Sequence, residues 1–129
     1  MSEPARTALV VDDNLALLSV IEYHLQKANF DVTVAANGQE GWELAQQQDF
    51  DLVVTDEQMP LMTGTELVAK LRGDARYAQT PIVMATAKTL EMDLTMIRED
   101  LGVNAIVVKP FSPSELIGAI DNCMAAGKG

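Results

Sequence analysis

Five short apolar runs alternate with longer segments of helical pattern, and this alternation constrains the fold more than any other feature of the sequence. Several runs are almost continuously apolar and rich in valine and isoleucine, which is typical of strands buried on both faces of a parallel sheet. The pattern therefore predicts a (βα)5 chain. Its predicted strands are Ala8–Val11, Val32–Ala35, Leu52–Thr55, Ile82–Ala85 and Ala105–Val108.

Capping sequences mark the starts of three predicted helices. Asn37 and Thr63 each precede a glutamate by three positions, and Ser112 does the same with a proline at the first helical position. Because crossovers between parallel strands are right-handed, the helices should cover both faces of the sheet. We therefore predict an α/β, doubly wound, five-stranded parallel sheet in the flavodoxin-like order 2-1-3-4-5.

The size and charge of the chain limit its function. A chain of 129 residues fits one domain, 1–129. The formal net charge of −10 repels phosphate backbones, so we expect no nucleic-acid binding. The N-terminal residues are unlike a signal peptide, and no apolar run approaches the roughly 20 residues of a membrane span. We expect a cytoplasmic protein that does not bind membranes.

Polar residues end four predicted strands at one edge of the sheet. The first strand ends in Asp12 and Asp13, the third in Asp56, the fourth in Thr86 and the fifth in Lys109. Singly, Asp13 is compatible with a helix cap, Asp12 with a solvated residue, Asp56 with a turn and Lys109 with a surface charge. With strands one and three adjacent, however, three carboxylates converge, and the coincidence of four strand ends favours a binding site.

Three carboxylates in one crevice need a shared proton or cation. Two unit charges about 4 Å apart repel each other by roughly 4 kcal/mol at an effective dielectric near 20. An all-oxygen donor set favours a hard ion such as Mg²⁺. Lys109 supplies a positive charge for an anionic group, and the Thr86 hydroxyl can donate a hydrogen bond to it. These groups together predict a phosphoryl-transfer site with a carboxylate nucleophile.

The sequence resembles the receiver domain of two-component response regulators, and stand-alone chemotaxis-type regulators are similar to it in size. The motifs that carry the resemblance occur in the family's order along essentially the whole chain. They are Asp12-Asp13, Asp56 with Met59-Pro60 and Gly64, Thr86-Ala87, and Lys109-Pro110-Phe111. The resemblance implies a receiver core from about residue 7 to about residue 124 and no effector domain.

The resemblance implies a signalling role rather than an enzymatic one. Asp56 would accept a phosphoryl group from a sensor histidine kinase or a phosphotransfer protein. Lys109 would contact the phosphoryl oxygens, and Thr86 would move toward them. The output would be a changed affinity for a downstream protein. The family also commonly has a cis peptide bond between Lys109 and Pro110.

The resemblance also implies a Mg²⁺ site. Asp13 and Asp56 would bind the ion with their side chains and Gln58 with its backbone carbonyl, while Asp12 would act through water or in support of the ligands. Gln58 and Lys88, two positions after Asp56 and Thr86, would tune the lifetime of the phosphorylated state.

Two features bear on how a signal would leave the domain. Receivers usually carry an aromatic residue three positions before the lysine, where this chain has Ile106. Movement of Thr86 would then be transmitted by packing on Ile106, or the switch would follow another route. Met92 and Met96 fall on the predicted polar face of the helix after the fourth strand. We hypothesise that they contribute to a partner surface, the alternative being isolated exposed apolar residues.

Other functions remain as alternatives. The chain could be a receiver module from a longer regulator or hybrid kinase, or a pseudo-receiver that binds partners without phosphorylation, although the complete acidic set argues against the latter. A phosphatase with an aspartyl-phosphate intermediate would need an acid where Gln58 stands. Flavin binding would need a phosphate-binding loop where the aspartates lie.

Overall fold

Five parallel strands form a single sheet in the computed structural model, which describes residues 6–87 and 102–127. The strand order β2-β1-β3-β4-β5 confirms the prediction. The fifth strand has the predicted bounds, and the other four are longer by one or two residues because backbone pairing continues beyond the predicted apolar runs, mostly through polar residues. The strands are β1 Arg6–Val11, β2 Phe30–Ala35, β3 Leu52–Asp56, β4 Ile82–Thr86 and β5 Ala105–Val108.

Described helices follow β1, β2, β3 and β5, and three of them start at the predicted capping sequences. Asn37 and Thr63 accept hydrogen bonds from the backbone N–H three residues later, and Ser112 and Glu115 cap each other reciprocally. The predicted helix after β4, with Lys88, Met92 and Met96, lies outside the described residues. The described helices are α1 Leu15–Lys27, α2 Gly38–Gln47, α3 Gly64–Arg72 and α4 Pro113–Gly127, with a 3₁₀ turn at Ala75–Tyr77.

The core consists of two apolar layers, one on each face of the sheet. Because side chains alternate along a strand, neighbouring residues such as Leu9 and Val10 enter different layers. Helices α2 and α3 cover the layer that contains Leu9, and helices α1 and α4 cover the layer that contains Val10. This arrangement confirms the doubly wound architecture.

The register of the sheet brings the carboxyl ends of the strands to one edge. Val11 pairs with Thr55, Asp56 with Ala85, and Thr86 with Val108. The residues that follow β1, β3, β4 and β5 therefore lie beside one another, as predicted for a ligand site of an open α/β sheet.

Candidate functional site

The two aspartates that follow β1 have different environments. Asp12 is buried, with 2% of its surface exposed, and its Oδ1 accepts a hydrogen bond of 2.9 Å from the backbone N–H of Asn14. Asp13 is exposed. Asn14 caps α1 by accepting a hydrogen bond of 3.1 Å from the N–H of Leu17. The alternatives in which Asp13 caps this helix and Asp12 is solvated are therefore wrong.

Asp56 ends β3 and completes a group of three carboxylates. It is buried, with 6% of its surface exposed. Asp12, Asp13 and Asp56, which we call the acidic cluster, each offer one oxygen atom, and these atoms lie within 4.8 Å of one another. Burial and the charge of Asp12 raise the pKa of the Asp56 carboxyl, although Lys109 opposes this effect. The ionised form of Asp56 is therefore held at a cost that a cation would relieve.

Lys109 supplies positive charge to the acidic cluster. Its backbone N–H donates to the carbonyl of Thr86 at 2.8 Å, and the following peptide bond to Pro110 is cis. The Nζ atom lies 3.0 Å from Oδ2 of Asp12 and 3.2 Å from Oδ1 of Asp56. Burial alone would lower the pKa of Lys109, but the hydrogen bonds and charges of these two aspartates outweigh it, and the pKa is raised. The ammonium therefore stays charged between two carboxylates.

The acidic cluster has the donor chemistry of a divalent cation site. Its donors are all carboxylate oxygens, which suit a hard cation such as Mg²⁺. When all three carboxylates are ionised, the single charge of Lys109 leaves them in excess. The residues present therefore fit Mg²⁺ in charge and in donor type.

The remaining predicted residues lie at different depths. Thr86 is fully buried as the last residue of β4. Ile106 is half-buried and packs against the core layer that α2 and α3 cover. Gln58 is exposed in the loop that follows Asp56. Of the predicted site residues, Lys109 contacts both Asp12 and Asp56, and Asp13 completes the acidic cluster.

Glu57, which follows Asp56, was not identified from the sequence. Its Oε1 accepts hydrogen bonds from the backbone N–H of Thr65 at 2.7 Å and from the Thr65 hydroxyl at 2.6 Å. Glu57 is therefore bound to the start of α3 instead of belonging to the acidic cluster. The only sequence signal was an acid directly after a strand end, followed by a threonine in the first turn of a capped helix.

Comparison with known proteins agrees with this geometry. Residues 8–121 match the family described as the response regulator receiver domain. The chain belongs to the response regulator receiver family. Among solved structures, this receiver domain is similar to the chemotaxis response regulator CheY4 of Vibrio cholerae, with 33% identity and a TM-score of 0.85, covering 92% of this chain and 98% of that one.

A second solved structure is described with a bound metal. It is the receiver domain of the sensor histidine kinase PA1611 from Pseudomonas aeruginosa PAO1, with a magnesium ion coordinated in the active site cleft. Its identity to this receiver domain is 27% and its TM-score 0.83, over 94% of this chain and 98% of that one.

Relatives in sequence are longer proteins. The receiver domain is 36% identical over 117 residues to the probable transcriptional regulator ycf29 of Pyropia yezoensis, covering 91% of this chain and 52% of that one. It is also 36% identical over 109 residues to the transcriptional regulatory protein SrrA of Staphylococcus aureus, covering 84% and 44%. The chain thus spans about half the length of the curated relatives it matches. Within residues 6–87 and 102–127, no helix has the length and apolar character needed to cross a membrane.

Proposed function

We propose that this receiver domain is a phosphoaspartate switch. Asp56 accepts a phosphoryl group from a sensor histidine kinase or a phosphotransfer protein, and phosphorylation changes the affinity for a downstream protein. The observation that carries the proposal is the position of Lys109 Nζ, 3.0 Å from Asp12 and 3.2 Å from Asp56, beside a group of three carboxylates.

Asp13 and Asp56, with the backbone carbonyl of Gln58, would hold Mg²⁺, and Asp12 would support the ion through water. When bound, the ion supplies positive charge that offsets the carboxylates and the phosphoryl oxygens. The exposed position of Asp13 supports its assignment as a direct ligand, because an ion can reach it from solvent. Both carboxylate oxygens of Asp12 already accept hydrogen bonds, one from the backbone N–H of Asn14 and one from Lys109.

The residues of the chain supply the remaining chemistry. Asp56 attacks phosphorus with a carboxylate oxygen, and the bond from phosphorus to the donor nitrogen breaks as the new P–O bond forms. Lys109 already lies beside the attacking carboxylate, so its charge is in place for the phosphoryl oxygens without a large rearrangement. Because the pKa of Asp56 is raised, its attacking carboxylate form is lost at a higher pH than that of an ordinary aspartate.

The signal would leave the site through Thr86 and the packing of β5. The backbone N–H of Lys109 donates a hydrogen bond to the carbonyl of Thr86. Ile106 packs against the core layer that α2 and α3 cover. An aliphatic Ile106 can transmit a shift of Thr86 only by packing, because it has no hydroxyl to form a hydrogen bond. A contribution of Met92 and Met96 to the partner surface stays a prediction.

Beryllofluoride, which mimics an aspartyl phosphate, tests the proposal. We expect it to perturb the backbone amide resonances of Asp56, Thr86 and Lys109 only when Mg²⁺ is present, and to leave the Asp56→Asn variant unchanged. The absence of any perturbation in the wild-type protein with Mg²⁺ would contradict the proposal and favour a pseudo-receiver.

A further inference from the structure

The loop between β3 and α3 is closed by Glu57 with three separate contacts. The backbone N–H of Glu57 donates to the carbonyl of Ala85 at 3.2 Å, and its carbonyl accepts from the N–H of Gly64 at 2.9 Å. Its side chain accepts both hydrogen bonds from Thr65. One residue thus joins the end of β3 to β4 and to the first two residues of α3.

The start of α3 lies directly against the backbone of Asp56. A Cβ atom at Gly64 would overlap the carbonyl oxygen of Asp56 and would lie 2.9 Å from the Cα atom of Glu57. Movement of α3 toward β3 at this point would therefore displace the peptide groups next to Asp56. The side-chain contact between Glu57 and Thr65, together with the backbone hydrogen bond from Gly64 to Glu57, holds these two segments together.

The rest of the loop has its own anchors, which leave Gln58 between two fixed neighbours. Met59 and Met62 are buried, with 8% and 6% of their surfaces exposed. Leu61 has a φ of 71°, and the N–H of Met62 donates to the carbonyl of Pro60 at 2.8 Å, which together form a tight γ-turn. Gln58 is exposed, but Glu57 on one side and Met59 on the other restrict the orientation of its backbone.

Helix capping alone does not account for Glu57. Thr63 and Glu66 already form a capping box at the start of α3. A carboxylate near a helix N-terminus is favourable, but Glu66 supplies one from within the helix. Glu57 differs because it reaches α3 from the strand that carries Asp56, and so it couples the helix to the site.

We infer that Glu57 is a positioning residue, which acts through Thr65 to hold Asp56 and the Gln58 carbonyl in the arrangement that binds the metal. The inference rests on the proposed function, in which these groups are ligands. Residues that orient metal ligands affect affinity without contacting the ion.

Magnesium titration of the metal-free protein by calorimetry tests this role. Because loss of such supporting contacts typically costs about 10-fold or more in metal affinity, we expect about a 10-fold higher Mg²⁺ Kd for Glu57→Ala. Glu57→Gln retains an acceptor oxygen and should bind Mg²⁺ nearly as the wild type does. Thr65→Val, which removes only the hydroxyl donor, should show a smaller loss.

Glu66→Ala is the matched control, since it removes the other carboxylate at the same helix end. It should leave the Mg²⁺ Kd close to that of the wild type. Amide hydrogen exchange without metal gives an independent measurement: the Thr65 amide should exchange faster in Glu57→Ala than in Glu57→Gln. If Glu57→Ala does not fold, the Kd of Thr65→Val decides the question.

The outcomes separate the inference from the proposed function. Wild-type affinity in Glu57→Ala or Thr65→Val, or an equal loss in Glu66→Ala, would overturn the positioning role and leave the metal site intact. A wild-type protein that does not bind Mg²⁺ at all would instead overturn the proposed function on which the inference depends.

Discussion

The Nζ atom of Lys109 donates a hydrogen bond of 3.0 Å to Oδ2 of the buried Asp12, joining residues that are 97 positions apart in the chain. The same ammonium lies 3.2 Å from Asp56. One cation thus contacts two carboxylates from neighbouring strands. Because Asp56 is the expected phosphoacceptor, any change of charge there must alter the contacts of Lys109.

Removing the charge of Lys109 should destabilise the metal-free protein. In Lys109→Met, the aliphatic part of the side chain is kept but Asp12 loses its cationic partner, so we expect a loss of about 1–3 kcal/mol in the free energy of unfolding. Urea denaturation with a chelator present measures this loss. Lys70→Met, at an exposed lysine on α3 whose ammonium lies 5.5 Å from the centroid of the Trp42 ring, is the control and should cost less than Lys109→Met. A Lys109→Met variant as stable as the wild type would contradict the account.

Asp56→Asn should stabilise the metal-free protein at neutral pH. The pKa of Asp56 is raised above its ordinary value of 3.8 by burial and by Asp12. The native state therefore binds more protons than the unfolded state between these two pKa values, and the stability that this gives is lost as the pH rises through the raised value. An asparagine stays neutral throughout, so we expect Asp56→Asn to have a higher free energy of unfolding than the wild type at neutral pH.

The pH dependence distinguishes this cause from a general packing effect. Thermal unfolding of both proteins, followed from neutral pH toward the ordinary pKa of Asp56, should show the difference shrinking as Asp56 becomes protonated. A difference that is independent of pH, or a wild type that is the more stable at neutral pH without metal, would refute the electrostatic explanation.

Asp13 should matter for the metal and little for folding. It is exposed, whereas Asp12 is buried and bonded to Asn14 and Lys109. We expect Asp13→Asn to raise the Mg²⁺ Kd by more than about 10-fold. Its effect on metal-free stability should stay within about 0.5 kcal/mol, as for other surface substitutions. Calorimetric titration and urea denaturation measure the two quantities.

A second exposed aspartate provides the comparison for Asp13. Asp31, on β2, should be replaceable by asparagine without effect on Mg²⁺ affinity. Unchanged Mg²⁺ affinity in Asp13→Asn would show that Asp13 is not a ligand.

Two glycine substitutions test how closely α3 approaches the site. Gly64→Ala would place a Cβ atom against the carbonyl oxygen of Asp56, and such overpacking costs about 1–3 kcal/mol. Gly118 lies exposed in α4, where a Cβ atom would meet no atom of another segment within 4 Å, so Gly118→Ala should gain about 0.5–1 kcal/mol. Urea denaturation gives both values. Equal stability of the two variants would contradict the described path of the loop.

Much of the fold could be predicted because its signals are local. The apolar runs and the capping sequences at Asn37, Thr63 and Ser112 depend on residues that are close in the chain. The parallel sheet then places the strand ends at one edge, so the convergence of Asp12, Asp56 and Lys109 follows from topology alone.

The details that the sequence did not reveal depend on distances across the chain. Asn14, not Asp13, caps α1, because the helix begins at Leu15, one residue later than a cap at Asp13 would require. The contact of Glu57 with Thr65 requires the path of the intervening loop, which has no periodic signal. The sharing of Lys109 between two aspartates likewise depends on where its side chain ends.

Phosphorylation of the intact domain by acetyl phosphate tests the central claim most directly. Mass spectrometry of the wild-type protein and of Asp56→Asn, each with and without Mg²⁺, would count the phosphoryl groups added. We predict one phosphoryl group on the wild type, only in the presence of Mg²⁺, and none on Asp56→Asn. Equal labelling of Asp56→Asn, or no labelling of the wild type under any condition, would contradict the assignment of Asp56 as the phosphoacceptor.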